Sequence, residues 1–159
     1  MRIDKKLIKC NFSTRAEVGI KYIIVHDTGN TNKGANALAH YHYFNSANKK
    51  ASAHYFVDGE GVIQTVEDYH CAWHCGDGKG KYGITNSNSI GIEICINSDG
   101  NFESALLNAH NLILFLMDKH KICKKNVLRH YDASRKVCPR TMSSDNWSGW
   151  FDFHNKLYC

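Results

Sequence analysis

The sequence has a single proline and no apolar run of membrane length among its 159 residues. Its longest strongly apolar stretch is Leu112 to Met117, whereas a helical span needs about 20 such residues. No membrane insertion is therefore expected. The N-terminus, Met1-Arg-Ile-Asp-Lys-Lys6, lacks the apolar core of a secretory signal, so any export is expected by another route. Also missing is a basic motif interleaved with aromatic residues, which argues against an RNA-binding module. The net charge of +5 is scattered over Lys49-Lys50, Lys79/Lys81 and Lys119/Lys121/Lys124/Lys125. These short runs read as solvated faces with a weak general attraction to anionic polymers, and no nucleic-acid partner is expected. Seven cysteines, an odd number, exclude a fully paired disulfide framework within one chain. With so little proline and such long periodic segments, the chain does not read as a stapled secreted scaffold. The thiols are read as reduced and mostly buried, with one cysteine left for chemistry.

What is present fits one compact domain of ordinary globular composition, 43% hydrophobic and 22% charged. Lys21 to His26 is a short apolar run ending at Asp27-Thr-Gly-Asn30, a buried strand entering a turn. Asn36 to Ser46 has Leu38, Tyr41 and Phe44 or Asn45 at helical spacing. Ala53–Val57 and Val62–Val66 flank Asp58-Gly-Glu-Gly61, a hairpin by its turn chemistry. The glycine- and lysine-rich stretch from Gly76 to Ser89 is read as a mobile surface loop. In Ser89 to Asn97, Ile90, Ile92, Ile94 and Ile96 share one face, and Gly91, Glu93 and Cys95 the other. Glu103 to Cys123 places Leu106, Leu107, His110, Ile113, Leu114 and Met117 on one stripe of a long helix. Val127 to His130 reads as a short strand and Trp147 to Tyr158 as a closing amphipathic helix. Strands alternating with helices predict an α/β domain, a mixed central sheet flanked by helices.

Ten histidines are an unusual supply, and the function is sought among them. His26 and His130 each end a predicted strand, where sheet-edge loops gather functional groups. Cys138 follows His130 by eight residues on a polar loop. Two imidazoles and a thiolate suit Zn²⁺, and three protein ligands leave a fourth position open. Spacing alone also leaves each histidine free to be structural.

Six segments in order carry a resemblance: IIVHDTG at 23–29, SAHYFVDGEGVIQTV at 52–66, AWHCG at 72–76, NSIGIEI at 88–94, RHYD at 129–132 and RKVCPR at 135–140. The chain resembles the type 2 N-acetylmuramoyl-L-alanine amidases, which include phage lysins, wall-recycling amidases and peptidoglycan recognition proteins. The resemblance implies a mixed sheet with zinc in a surface groove, one Zn²⁺ bound by His26, His130 and Cys138, and peptidoglycan as substrate. It implies that Glu93 accepts the proton of a water and that Lys136 stabilises the oxyanion. His74 matches a groove histidine that contacts substrate. His54 stands where many relatives have tyrosine; it either faces the groove, where it could act on the substrate, or packs as a structural residue. Trp73 is expected in the core, Cys71 and Cys75 could form a local disulfide, and His40, His42, His70, His110, His120 and His154 are read as structural or exposed.

Two other readings compete. A wall-binding module without catalysis would typically lack the cysteine ligand. A thiol hydrolase with Cys138 as nucleophile and His130 as base would leave His26 without a role. Fifteen lysines against five arginines, with fifteen asparagines, point to an AT-rich, low-GC Gram-positive host. The missing signal, the intact thiols and the amidase resemblance together imply a phage or prophage endolysin, expected to be a monomer. It would be made in the host cytoplasm and released through a holin pore. Residues 1–159 form one catalytic domain, which could be excised from a longer lysin with a C-terminal wall-binding domain.

Overall fold

The computed structural model describes residues 2–158. Its strands are β1 (Ile3–Lys5), β2 (Phe12–Thr14), β3 (Tyr22–Asp27), β4 (Tyr55–Val57), β5 (Val62–Gln64), β6 (His70–Ala72), β7 (Ser89–Ile94) and β8 (Val127–Arg129). The helices are α1 (Ala37–Ser46), α2 (Phe102–His120), α3 (His130–Ser134) and α4 (Ser144–Asn155). Six strands form one sheet in the order β1-β5-β4-β7-β3-β8, and β2 pairs with β6 in a small antiparallel sheet. Within the large sheet only β4 and β5 are antiparallel. The mixed sheet expected from the alternation of elements is thus present.

The strand alternation sorts the side chains by face. Ile23, Val25, Ile90, Ile92, Ile94, Tyr55 and Val57 pack with α2 and α4 in the main core. On the opposite face, Phe56, Ile63 and Cys95 pack beneath α1, and Ile24 packs with Cys75, Ile84 and Ala133. The candidate site residues His26 and Glu93 lie on this second face.

Three expectations about the helices change. In α2 the buried stripe is Ala105, Ala109, Leu112, Ile113, Leu116 and Met117, while Leu107 is exposed. The contact face therefore combines two alanines with four large residues, and Leu106 and Leu114 pack at its margin. In α1, Ala37 is buried with Tyr41 and Phe44 packed against the core, and Leu38 points out. Asn36 caps this helix by accepting from the Ala39 N–H. The last helix opens earlier than Trp147, at Ser144, but Asp145, Asn146 and Trp147 have left-handed φ, so regular helix begins only after them.

The hairpin turn follows its sequence. Asp58 Oδ1 accepts from the N–H groups of Glu60 and Gly61 at 2.9 and 3.1 Å, an Asx-type closure. Behind it, the Asp68 carboxylate gathers Tyr55 Oη at 2.7 Å, Lys119 Nζ at 2.7 Å and His120 Nε2 at 2.8 Å. This ties the end of α2 to the strand edge. Burial alone would raise the Asp68 pKa, but the bonds from His120, Lys119 and Tyr55 outweigh it and hold the group well below the carboxylate range.

Candidate metal centre

Parallel pairing brings the site together. His26 lies opposite Glu93 in the register of β3 with β7. The register of β3 with β8 runs to Val25 opposite Arg129, so His130, the next residue, arrives level with His26. Cys138 is returned to the same spot by two anchors. The Tyr131 N–H donates to the Cys138 carbonyl at 3.1 Å, and Asp27 Oδ2 accepts from the Thr141 N–H and hydroxyl at 2.8 and 2.9 Å.

All three side chains are buried, His26 at 1%, His130 at 3% and Cys138 at 6% exposure. His26 Nδ1 lies 3.1 Å from His130 Nδ1 and 3.7 Å from Cys138 Sγ, and the three atoms all fall within 4.8 Å of one another. A tetrahedral zinc with ordinary bond lengths sets nitrogen–nitrogen and nitrogen–sulfur separations of about 3.3 and 3.6 Å. The donor set and its spacing therefore fit Zn²⁺. Burial pushes the Cys138 thiol up to about 12, so without a bound cation the sulfur stays a neutral thiol. His26, a residue that a Cys–His thiol hydrolase would leave without a role, converges on the same point as His130 and Cys138.

Glu93 Oε1 lies 4.0 Å from His26 Nδ1, and its buried Oε2 has no hydrogen-bond partner. Burial, reinforced by the Asp27 carboxylate, raises its pKa well above the usual range, against the pull of Lys136. A fifth of the side chain, 21%, remains open. Lys136 is exposed and lines a groove of about 300 Å³ with Lys50, Trp73, His74, Asp77 and His130.

The structure separates the two remaining histidine expectations. His74 lines the groove, and its Nδ1 lies 3.0 Å from His26 Nε2. His54 is fully buried, which corrects the reading that places it in the groove. Its Nδ1 accepts from the Gly91 N–H at 2.9 Å, and Nε2 lies 3.1 Å from the His70 carbonyl. Burial lowers its pKa to about 4. Both nitrogens are committed to backbone, so it has no free atom for a substrate. Trp73 is only part-buried, with Nε1 donating to Ser13 Oγ at 3.2 Å. Cys71 and Cys75 are both free thiols.

The stretch from Gly76 to Ser89 is more than a surface loop. Asn86 Oδ1 accepts from the N–H groups of His74 and Cys75 at 3.0 and 2.9 Å, and Ile84 is buried. Asp77 Oδ1 meets His130 Nε2 at 2.8 Å. Arg15, which spacing did not single out, donates to the carbonyls of Asp68, Asn86, His70 and Ser89 at 2.8 to 3.3 Å and also to that of Ser87. Only Asp77 carried a sequence signal, as the one carboxylate between Asp68 and Glu93.

The fold is thus an α/β domain whose parallel strands bring together a His–His–Cys cluster that could hold a metal ion, with a carboxylate beside it. The chain belongs to the N-acetylmuramoyl-L-alanine amidase family Amidase_2, whose model matches residues 15–141. It is 43% identical over 129 residues to the N-acetylmuramoyl-L-alanine amidase XlyA of Bacillus subtilis strain 168, covering 81% of this chain and 42% of the relative. The structure of the catalytic domain of XlyA superposes with a TM-score of 0.86 at 38% identity, over 98% of each chain. A mutant endolysin from Bacillus subtilis gives a TM-score of 0.87 at 39% identity, over 97% of each chain. The chain spans about half the length of the curated relatives it matches, 42% and 51% for two of them.

Proposed function

We propose that this chain hydrolyses the amide between N-acetylmuramic acid and L-alanine in bacterial peptidoglycan, using one Zn²⁺ held by His26, His130 and Cys138. The observation that carries the reading is the unpartnered Glu93 carboxylate beside three converging ligand atoms, in a chain of an amidase family. When bound, zinc would supply Lewis acidity, polarising a carbonyl and acidifying a water. Glu93, with a free oxygen and a raised proton affinity, accepts a proton from water and can return it to the leaving amine. Lys136 sets a positive charge at the groove edge against the developing oxyanion, and His74 lines the groove, where its ring face can pack against the substrate.

The same reading makes the chain the catalytic domain of a monomeric phage or prophage endolysin of a low-GC Gram-positive host. The likeness to an endolysin and to a catalytic domain supports it, as does the lysine- and asparagine-rich composition. It would be made in the host cytoplasm and reach the wall through a holin pore. No described helix is long and apolar enough to cross a membrane.

Digestion of purified Gram-positive wall tests which bond is cut. The amidase exposes N-terminal alanine, detected by dinitrophenyl labelling, and leaves glycan strands intact. New reducing sugar ends, or labelled residues other than alanine, would remove the assignment.

A further inference from the structure

Two chains of hydrogen bonds approach the candidate metal site from behind, and each ends on a group that can only accept. The first begins at Ser89, whose hydroxyl donates to the Thr85 carbonyl. With its proton committed there, Ser89 Oγ accepts from His74 Nε2 at 3.2 Å. A neutral imidazole carries one N–H, so His74 Nδ1 is then a bare acceptor. It faces His26 Nε2 at 3.0 Å, which must donate. The His26 Nδ1 lone pair is thereby turned towards His130 and Cys138.

The second chain is shorter. His130 Nε2 donates to Asp77 Oδ1 at 2.8 Å, and an ionised carboxylate has no proton to return. The His130 Nδ1 lone pair is likewise turned inward. Two bare nitrogens therefore face each other at 3.1 Å, an arrangement that repels unless a cation lies against both. We propose that His74, backed by Ser89, and Asp77 are positioning residues that lock His26 and His130 in the Nε2–H tautomer with both Nδ1 atoms free for a metal. The proposal deepens the zinc reading and rests on it for its consequence, preorganised affinity.

The loop from Gly76 to Ser89 acquires a reason for its construction. Asp77 sits in the short helical turn Gly76–Gly78, where Gly78 comes so close to the Ala133 carbonyl that a Cβ would lie 2.1 Å from its oxygen. That close approach seats Asp77 beside the first turn after β8, where His130 begins. Gly91 plays the matching part for His74, because a Cβ there would lie 2.5 Å from the imidazole Cγ.

The test uses the whole chain with Zn²⁺ as probe. Imidazole ¹⁵N shifts of the metal-free protein report the tautomer directly, and chelator competition reports zinc affinity. Nε2-protonated His26 and His130 are expected in the parent. Asp77→Ala should release His130 into a mixture of tautomers and weaken zinc by about 10- to 100-fold. Asp77→Asn, which keeps an accepting oxygen, should restore the tautomer and most of the affinity. Ser89→Ala should broaden the His74 and His26 tautomer populations while leaving His130 unchanged. Asp77 is half exposed at 48%, so its variants are expected to fold, and circular dichroism checks this. An unchanged His130 tautomer and zinc affinity within twofold in Asp77→Ala would overturn the proposal. A parent with both tautomers in place that binds no zinc would instead sink the zinc reading and leave the positioning network standing.

Discussion

His26 and Glu93 face each other across the parallel strands β3 and β7, with Nδ1 and Oε1 4.0 Å apart. Their pairing is a matter of register. A slip of one residue would turn Glu93 to the isoleucine face and remove it from beside the three converging side chains.

The three ligand residues should bind about one zinc per chain. Replacing His26, His130 or Cys138 by alanine should lower both metal content and activity, and chelation should abolish activity until Zn²⁺ is restored. Elemental analysis alongside wall-lysis rates checks this. Full activity in a metal-free preparation would end the metalloenzyme reading.

Glu93→Gln should keep the fold and its zinc but lose about 100-fold or more in rate, the scale of general base catalysis. The amide occupies the volume of the carboxylate without its proton affinity. Lys136→Ala should also retain zinc while lowering kcat, through lost opposition to the oxyanion. A Glu93→Gln enzyme with more than half the parent rate would place the proton acceptor elsewhere.

His54 should act on stability rather than on metal. Its pKa is about 4 in the folded chain against 6.5 for the free side chain, so the folded state binds fewer protons between these values. Its contribution is complete above about pH 6.5 and is lost as pH falls towards 4, an amount of about 3 kcal/mol. His54→Gln should flatten this part of the curve of Tm against pH without changing zinc stoichiometry. A loss of bound zinc at unchanged Tm would contradict the buried placement.

Gly91→Ala should weaken zinc binding although Gly91 is no ligand. The added methyl group would meet the His74 ring at 2.5 Å, and His74 cannot move without releasing His26 Nε2. Stability should fall by about 1–3 kcal/mol, the usual cost of overpacking. Titration with zinc and thermal unfolding measure the two effects separately, and parent-like zinc affinity would show that His74 yields without consequence.

Some of this was legible in the residues. The apolar run Lys21–His26 ends in a histidine, and the alternation from Ser89 sets Glu93 against the isoleucines. Both are local patterns, and both strands formed as read, although β7 stops at Ile94. In the α2 stripe, Leu106, Ile113, Leu114 and Met117 do pack in or against the core, but Leu107 is exposed and the buried Ala105 and Ala109 were passed over because small residues carry little hydrophobic signal. The strands β1, β2 and β6 were not seen at all. Each lacks the neighbouring turn motif that marks β4 and β5, and its pairing partner lies far along the chain.

The sequence by itself determined the alternation that puts the isoleucines of β7 on one face, the turn chemistry of Asp58 to Gly61, and the order of motifs in which His26, His130 and Cys138 stand out. Each depends on residues a few positions apart, where side-chain period and backbone preference act directly. Tertiary structure alone decided that His54 is sealed beneath His74, and that Asp77 and Ser89 direct the lone pairs of two histidines. Those outcomes depend on atoms brought together from distant parts of the chain, and a hydrogen bond is made or lost over a few tenths of an ångström.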